Sequence, residues 1–71
     1  QEDLAARVAS MSPRETQVLE YLHAGTPVRE IAEELDVSEA TVRSQVKQVL
    51  RKLDVRSQLA AVAAFESAQH S

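Results

Sequence analysis

A chain of 71 residues with one glycine and no cysteine is long enough for one small domain, and it has neither a disulfide framework nor a thiolate metal site. The net charge of −3 excludes a uniformly basic protein, the widely separated His23 and His70 have no ligand spacing around them, and no apolar run approaches the roughly 20 residues of a membrane span. A single glycine leaves no glycine-rich phosphate loop and no nucleophile has a base at hand, so neither an enzyme nor a cofactor is expected, and nothing resembles a signal peptide, which is compatible with a cytoplasmic protein.

In chain order, Leu4, Val8 and Met11 stand at i, i+4 and i+7 and suggest an amphipathic helical lead-in. Ser12-Pro13-Arg14-Glu15 combines an N-cap serine, a proline at the first helical position and a glutamate at N3, a capping box. The helix it opens turns Val18, Leu19 and Leu22 inward and stops near Gly25. Thr26-Pro27 reads as the next N-cap and N1 pair, before a short helix ending near Leu35 that presents Val28, Ile31, Ala32 and Leu35. Asp36-Val37 is a tight connection, and Ser38 caps a longer helix over residues 38–53. Asp54-Val55-Arg56 ends that helix. Ser57 caps a last one running through Leu59, Val62, Ala63 and Phe65, and residues 67–71 are expected to fray.

The helix over 38–53 carries two faces. Val42, Val46, Val49, Leu50 and Leu53 form a stripe at helical period, whereas Arg43, Lys47 and Arg51 follow one another about 6 Å apart along another face, flanked by Ser44 and Gln48. Arg and Lys can bond guanine acceptors and Gln can bond adenine in a major groove, but a solvated charged face on an ordinary bundle helix has the same pattern. The distribution of charge bears on the choice. Residues 1–40 hold three arginines against nine acids, while residues 41–57 hold five bases against Asp54 alone. A short helix, a tight turn and a longer basic helix is the helix-turn-helix layout, with Ile31, Ala32, Leu35, Val37, Val42 and Val46 holding the two helices together. Tyr21 and Phe65, the only aromatics, offer no stacking platform for single strands.

The ordered set Met11-Ser12-Pro13-Arg14-Glu15, Val18-Leu19, Gly25, Glu30-Ile31-Ala32-Glu33-Glu34-Leu35, Val37-Ser38-Glu39-Ala40-Thr41-Val42-Arg43-Ser44, Lys52-Leu53, Val55-Arg56-Ser57 and Ala61-Val62 resembles the LuxR-type (FixJ/GerE-like) helix-turn-helix domain found at the C-terminus of bacterial response regulators and quorum-sensing regulators. The resemblance implies an all-α, four-helix helix-turn-helix domain over residues 11–66, preceded by residues 1–10 as the helical end of a linker from an N-terminal domain that lies outside this chain. It also implies sequence-specific binding of double-stranded DNA by the effector domain of a two-component or related transcription regulator. Arg43, Ser44 and Lys47 match positions that face base edges. Thr41, Gln48, Arg51 and Arg56 match positions at phosphates or the groove rim. Glu30 matches an acid that ties helices together internally. Leu59, Ala60, Ala63 and Ala64 match the helix that pairs two protomers, which gives a homodimer on an inverted repeat, with RNA polymerase as a further candidate partner. No small-molecule site is implied in this segment.

The chain departs from the family pattern at Gln45, at Pro27-Val28 and at Asp36 and Asp54, where glycines are frequent. Aspartate tolerates the left-handed region better than most residues, so both turns can form at some strain. The added negative charge should lower affinity for DNA. Two alternatives stand beside the main reading. One is a sigma-factor-like promoter-recognition domain, against which the Val55-Arg56-Ser57 turn and alanine-rich last helix argue. The other is a helix-turn-helix reused as a protein-interaction module, for which the acidic total speaks.

Overall fold

The computed structural model describes residues 4–69, which form five helices and no strand. They are α1 (Leu4–Ala9), α2 (Pro13–His23), α3 (Val28–Leu35), α4 (Glu39–Leu53) and α5 (Gln58–Gln69). The architecture is the all-α helix-turn-helix arrangement with a helical lead-in. The expectations for residues 1–3, for the Leu4 side chain, for a surface His70 and for a frayed end at 70–71 lie outside the described residues.

Helix α4 is the common partner of α1, α2, α3 and α5. Its stripe of Val42, Val46, Val49 and Leu53 is buried and feeds two apolar clusters. In the first half of α4, Val42 and Val46 meet Val18 and Leu22 of α2 and Ile31 and Ala32 of α3. In the second half, Val49 and Leu53 meet Met11, Leu19 of α2, and Ala61 and Phe65 of α5, with Val8 of α1 against them. Leu50 touches both clusters. Neighbouring Val18 and Leu19, each 0% exposed, send one side chain into each. The lead-in is thus packed into the domain. Small Ala32 lets α3 approach α4 closely, and burial of the two clusters supplies most of the stability of so short a chain.

Three successive helices close in the same way. Gly25, Asp36 and Asp54 have φ of 82°, 58° and 59°. At each, the next residue's N–H reaches back to a carbonyl five residues earlier: Thr26 to Tyr21, Val37 to Ala32 and Val55 to Leu50, all at 3.0 Å. Gly25, Asp36 and Asp54 donate in turn to Leu22, Glu33 and Arg51. This is the Schellman closure, in which a left-handed residue satisfies carbonyls left open at the helix end. The pairing corrects one expected cap. Thr26 is engaged in closing α2, so α3 starts one residue later, with extended Pro27 as its N-cap and no side-chain hydrogen bond there.

The capping box at Ser12 forms as read. Ser12 N–H donates to Glu15 Oε1 at 2.8 Å, and Glu15 N–H donates to Ser12 Oγ at 3.2 Å. The same Glu15 oxygen lies 3.0 Å from Lys52 Nζ in the last turn of α4. Glu15 is buried, and the Ser12 N–H, followed by the Lys52 ammonium, holds its carboxyl below the ordinary glutamate value of 4.5 against the opposing cost of burial. Arg7 of α1 donates to the Lys52 carbonyl at 3.5 Å, at the edge of hydrogen-bonding distance.

On helix α5, Ala61 and Phe65 are buried, with Val62 and Ala64 packed beside them, while Ala63 is exposed and Leu59 is 80% exposed. Residues 67–69 are helical rather than frayed. His23 is half in solvent, where its Nε2 lies 3.1 Å from Glu66 Oε1 and its ring meets Phe65 edge-on at 5.4 Å, joining the end of α2 to α5.

Because the Glu15 carboxyl titrates lower in the folded chain, its contribution to stability is full above the unfolded glutamate value and is lost as pH falls through the folded one. Urea denaturation at a series of pH values should show stability falling below about 4.5, and Glu15→Gln should flatten that fall; an unchanged slope would remove Glu15 from the acid response. Ser12→Ala should cost about 1 kcal/mol at neutral pH. Asp36→Gly and Asp54→Gly should each stabilise by about 0.5–1 kcal/mol, since glycine carries no steric penalty in the left-handed region. Thermal unfolding of the two variants measures this, and a loss of stability in both would mean that the aspartate side chains support their turns.

Candidate nucleic-acid interface

The face of α4 opposite its buried stripe is set by the first turn of the helix. Ser38 has the extended backbone of an N-cap, and its Oγ accepts the Thr41 N–H at 3.1 Å. The Ser38 and Thr41 hydroxyls also share a hydrogen bond of 2.9 Å. With this turn anchored and the valines buried, the helix cannot rotate about its axis. Thr41, Arg43, Ser44, Lys47, Gln48 and Arg51 are then all exposed, and Arg56 is exposed in the turn before α5. Arg43, Lys47 and Arg51 follow at single-turn intervals, so three cations rise along one side over about 12 Å. Gln45, one of the departures from the family pattern, is half-buried, with an Oε1 that is buried and unpartnered among the described residues. It does not share the exposed face.

The basic cluster is smaller in effect than its composition implies. Lys52 is tied to Glu15. Arg43 Nη2 donates to Glu39 Oε1 at 3.1 Å within α4. Lys47, Arg51 and Arg56 form no ion pair among the described residues. The Glu39–Arg43 pair is legible in the sequence as an acid four residues before a base on a helix, the favourable orientation. The Glu15–Lys52 pair spans 37 positions of sequence, and no local signal announces it.

Glu30, expected to tie helices together, is exposed and has no ion pair or side-chain hydrogen bond among the described residues; that work falls to Glu15. On α5, Leu59 and Ala63 are open to solvent, Ala60 is half-buried, and Ala64 packs into the core of its own chain.

Arg51 and Lys52 are neighbours in sequence with different work to do. Lys52→Ala should lower stability by about 1 kcal/mol, by leaving Glu15 buried without its cation, and should leave the salt dependence of nucleic-acid binding unchanged. Arg51→Ala should do the reverse. Denaturation curves and binding titrations over a range of salt measure both effects, and equal behaviour of the two variants would contradict the division.

Residues 9–65 match the model of the family described as bacterial regulatory proteins, luxR family. Curated relatives include the transcriptional regulatory protein FixJ of Bradyrhizobium diazoefficiens, 46% identical over 56 residues, which are 79% of this chain and 27% of that protein. The transcriptional regulatory protein DesR of Bacillus subtilis is 36% identical over 61 residues, 86% of this chain and 31% of that protein. The nitrate/nitrite response regulator protein NarL of Escherichia coli is 37% identical over 54 residues, 76% of this chain and 25% of that protein. The chain therefore spans between a quarter and a third of the length of these relatives. No solved structure matches it. With the matched segment coinciding with the packed helices and with the exposed basic face of α4, the chain belongs to the LuxR family of bacterial regulatory proteins, and it is a helix-turn-helix DNA-binding domain of the kind carried by transcriptional regulators.

Proposed function

We propose that α4 enters the DNA major groove with Arg43, Ser44 and Lys47 against base edges, and that Thr41, Gln48, Arg51 and Arg56 meet phosphates or line the groove rim. The observation that carries this reading is the split of α4 into a fully buried valine stripe and an exposed face on which these side chains lie together. The base-facing group includes one fork-shaped cation and one flexible one, each suited to guanine O6 and N7. The Thr41 hydroxyl, shared with Ser38, keeps a further hydrogen-bonding position for a phosphate oxygen. Phosphate contacts would set the register, and base contacts would choose the sequence.

Two copies would pair through α5, with Leu59 and Ala63 at the contact and Ala60 and Ala64 bordering it. The support is that Leu59 is the exposed large hydrophobic side chain among the described residues. Pairing of this kind presents two α4 helices to an inverted repeat, with half-sites about one helical turn apart. The domain would serve as the effector part of a longer cytoplasmic regulator, joined through α1 to an N-terminal domain, with RNA polymerase as the protein partner of transcriptional control. The relatives' greater length supports the first point, and no helix of the described residues is long and apolar enough to cross a membrane.

Selection of bound duplexes from a random pool at low salt tests the assignment, with an Arg43→Ala, Lys47→Ala double variant as control. The chain should enrich an inverted repeat that the double variant fails to enrich. Lys47→Ala alone should relax discrimination at one base pair by about 1–3 kcal/mol. Equal enrichment by chain and double variant would overturn the base-reading roles, and a chain that enriches nothing would favour a domain turned to protein interaction.

A further inference from the structure

Glu39 is the acid closest to the exposed basic face, and its place is odd for a DNA-reading helix. It occupies the first helical position after the Ser38 cap, on backbone held by the Ser38–Thr41 hydrogen bonds. Its carboxylate lies 3.1 Å from Arg43 Nη2, and the side chains of Arg43 and Glu39 are 62% and 43% exposed. A negative charge in this first turn is favoured by the unpaired N–H groups of the helix start. One of the five guanidinium N–H groups is taken, and the others remain free to grip an acceptor pair.

We propose that Glu39 is a positioning residue for Arg43 and a determinant of sequence specificity; the inference rests on the reading that Arg43 faces a base. Arginine has many rotamers, and ordering it on binding weakens the contact. A guanidinium already tethered to the first turn of α4 presents its fork from one direction. The same carboxylate stands against the phosphates of any duplex, matched or not. Glu39 therefore acts in two ways at once. It sharpens the contact at the base pair that Arg43 reads, and it lowers affinity for all DNA. The first effect raises the ratio of specific to non-specific binding, while the second weakens both alike and lowers absolute affinity.

The test uses the 71-residue chain, its selected duplex, the same duplex altered at each base pair in turn, and an unrelated duplex, titrated across a range of salt. Arg43→Ala locates the base pair that it reads. Glu39→Ala should reduce discrimination at that base pair by about two- to tenfold, the worth of one pre-ordered side chain. It should also tighten binding to the unrelated duplex and steepen its salt dependence. Glu39→Asp keeps the charge but shortens the reach, so discrimination should fall while the salt dependence stays as in the parent chain. In the Arg43→Ala background, Glu39→Ala should no longer alter base preference.

Unchanged discrimination in both Glu39 variants would overturn the inference and leave a carboxylate that only repels. An effect of Glu39→Ala on base preference that persists without Arg43 would also overturn it, since Glu39 would then be touching DNA itself. If Arg43→Ala changes no base preference, the reading beneath the inference fails instead, and the two failures are told apart by that single variant.

Discussion

The burial of one stripe of α4 is the constraint on which the rest of this domain depends. Val42, Val46, Val49 and Leu53 are the surface onto which every other helix docks. Val42 and Val46 feed one cluster and Val49 and Leu53 the other, so α4, like α2 with its Val18 and Leu19, runs through both. The β-branched valines add stiffness, since each holds essentially one rotamer in a helix. Packing thereby sets the rotation of α4 about its own axis as well as its position. A residue on a helix advances by 100° from its neighbour, so an error of one residue in phase would turn Arg43 toward the core. The accuracy of the exposed face is a by-product of a well-filled core.

Electrostatics divides the work in a second way. The domain is acidic overall, yet it carries a basic helix, and two acids reach into that helix from within the chain. Glu15 draws Lys52 away from the interface and uses it to close the end of α4 against the start of α2. Glu39 holds Arg43 at the other end. Within the basic stretch over residues 41–57, Lys47, Arg51 and Arg56 are left without an ion pair among the described residues. A domain built in this way has less free positive charge on α4 than its composition implies, so its attraction to a phosphate backbone is modest. Electrostatic economy of this sort suits a module that must ignore most of a genome.

The turns complete the picture. Sharp connections from α2 through α3 and α4 to α5 come from left-handed residues, glycine once and aspartate twice. Aspartate adopts this conformation at some cost, and it places a further negative charge at the C-terminal ends of α3 and α4, where the helix dipole disfavours one. At both sites the following valine packs down onto the core, Val37 on one cluster and Val55 on the other. That hydrophobic anchorage offsets the strain, and it fixes the angle at which the chain leaves each helix.

Local signals in the amino-acid sequence determined most of the helix boundaries. The Ser12 capping box, the Ser38 and Ser57 caps, Gly25 and the two aspartate turns act through hydrogen bonds within a few residues of themselves, so they are legible without any knowledge of the fold. The two faces of α4 were equally legible, because a helix with valines on one side and cations on another has only one stable way to dock. What the tertiary structure alone decided lies where the local code is weak or the partners are distant. Helix α5 is alanine-rich and shows no clear apolar stripe, so packing decides that Ala61 and Phe65 turn inward and Leu59 outward. Thr26 could have capped α3 on composition alone, but closure of α2 claimed it first. Glu15 looked like a simple capping residue, and Lys52 like one more cation of the interface. Their pairing required α2 and α4 to be brought together by the apolar clusters, and it changed which cations remain available to DNA.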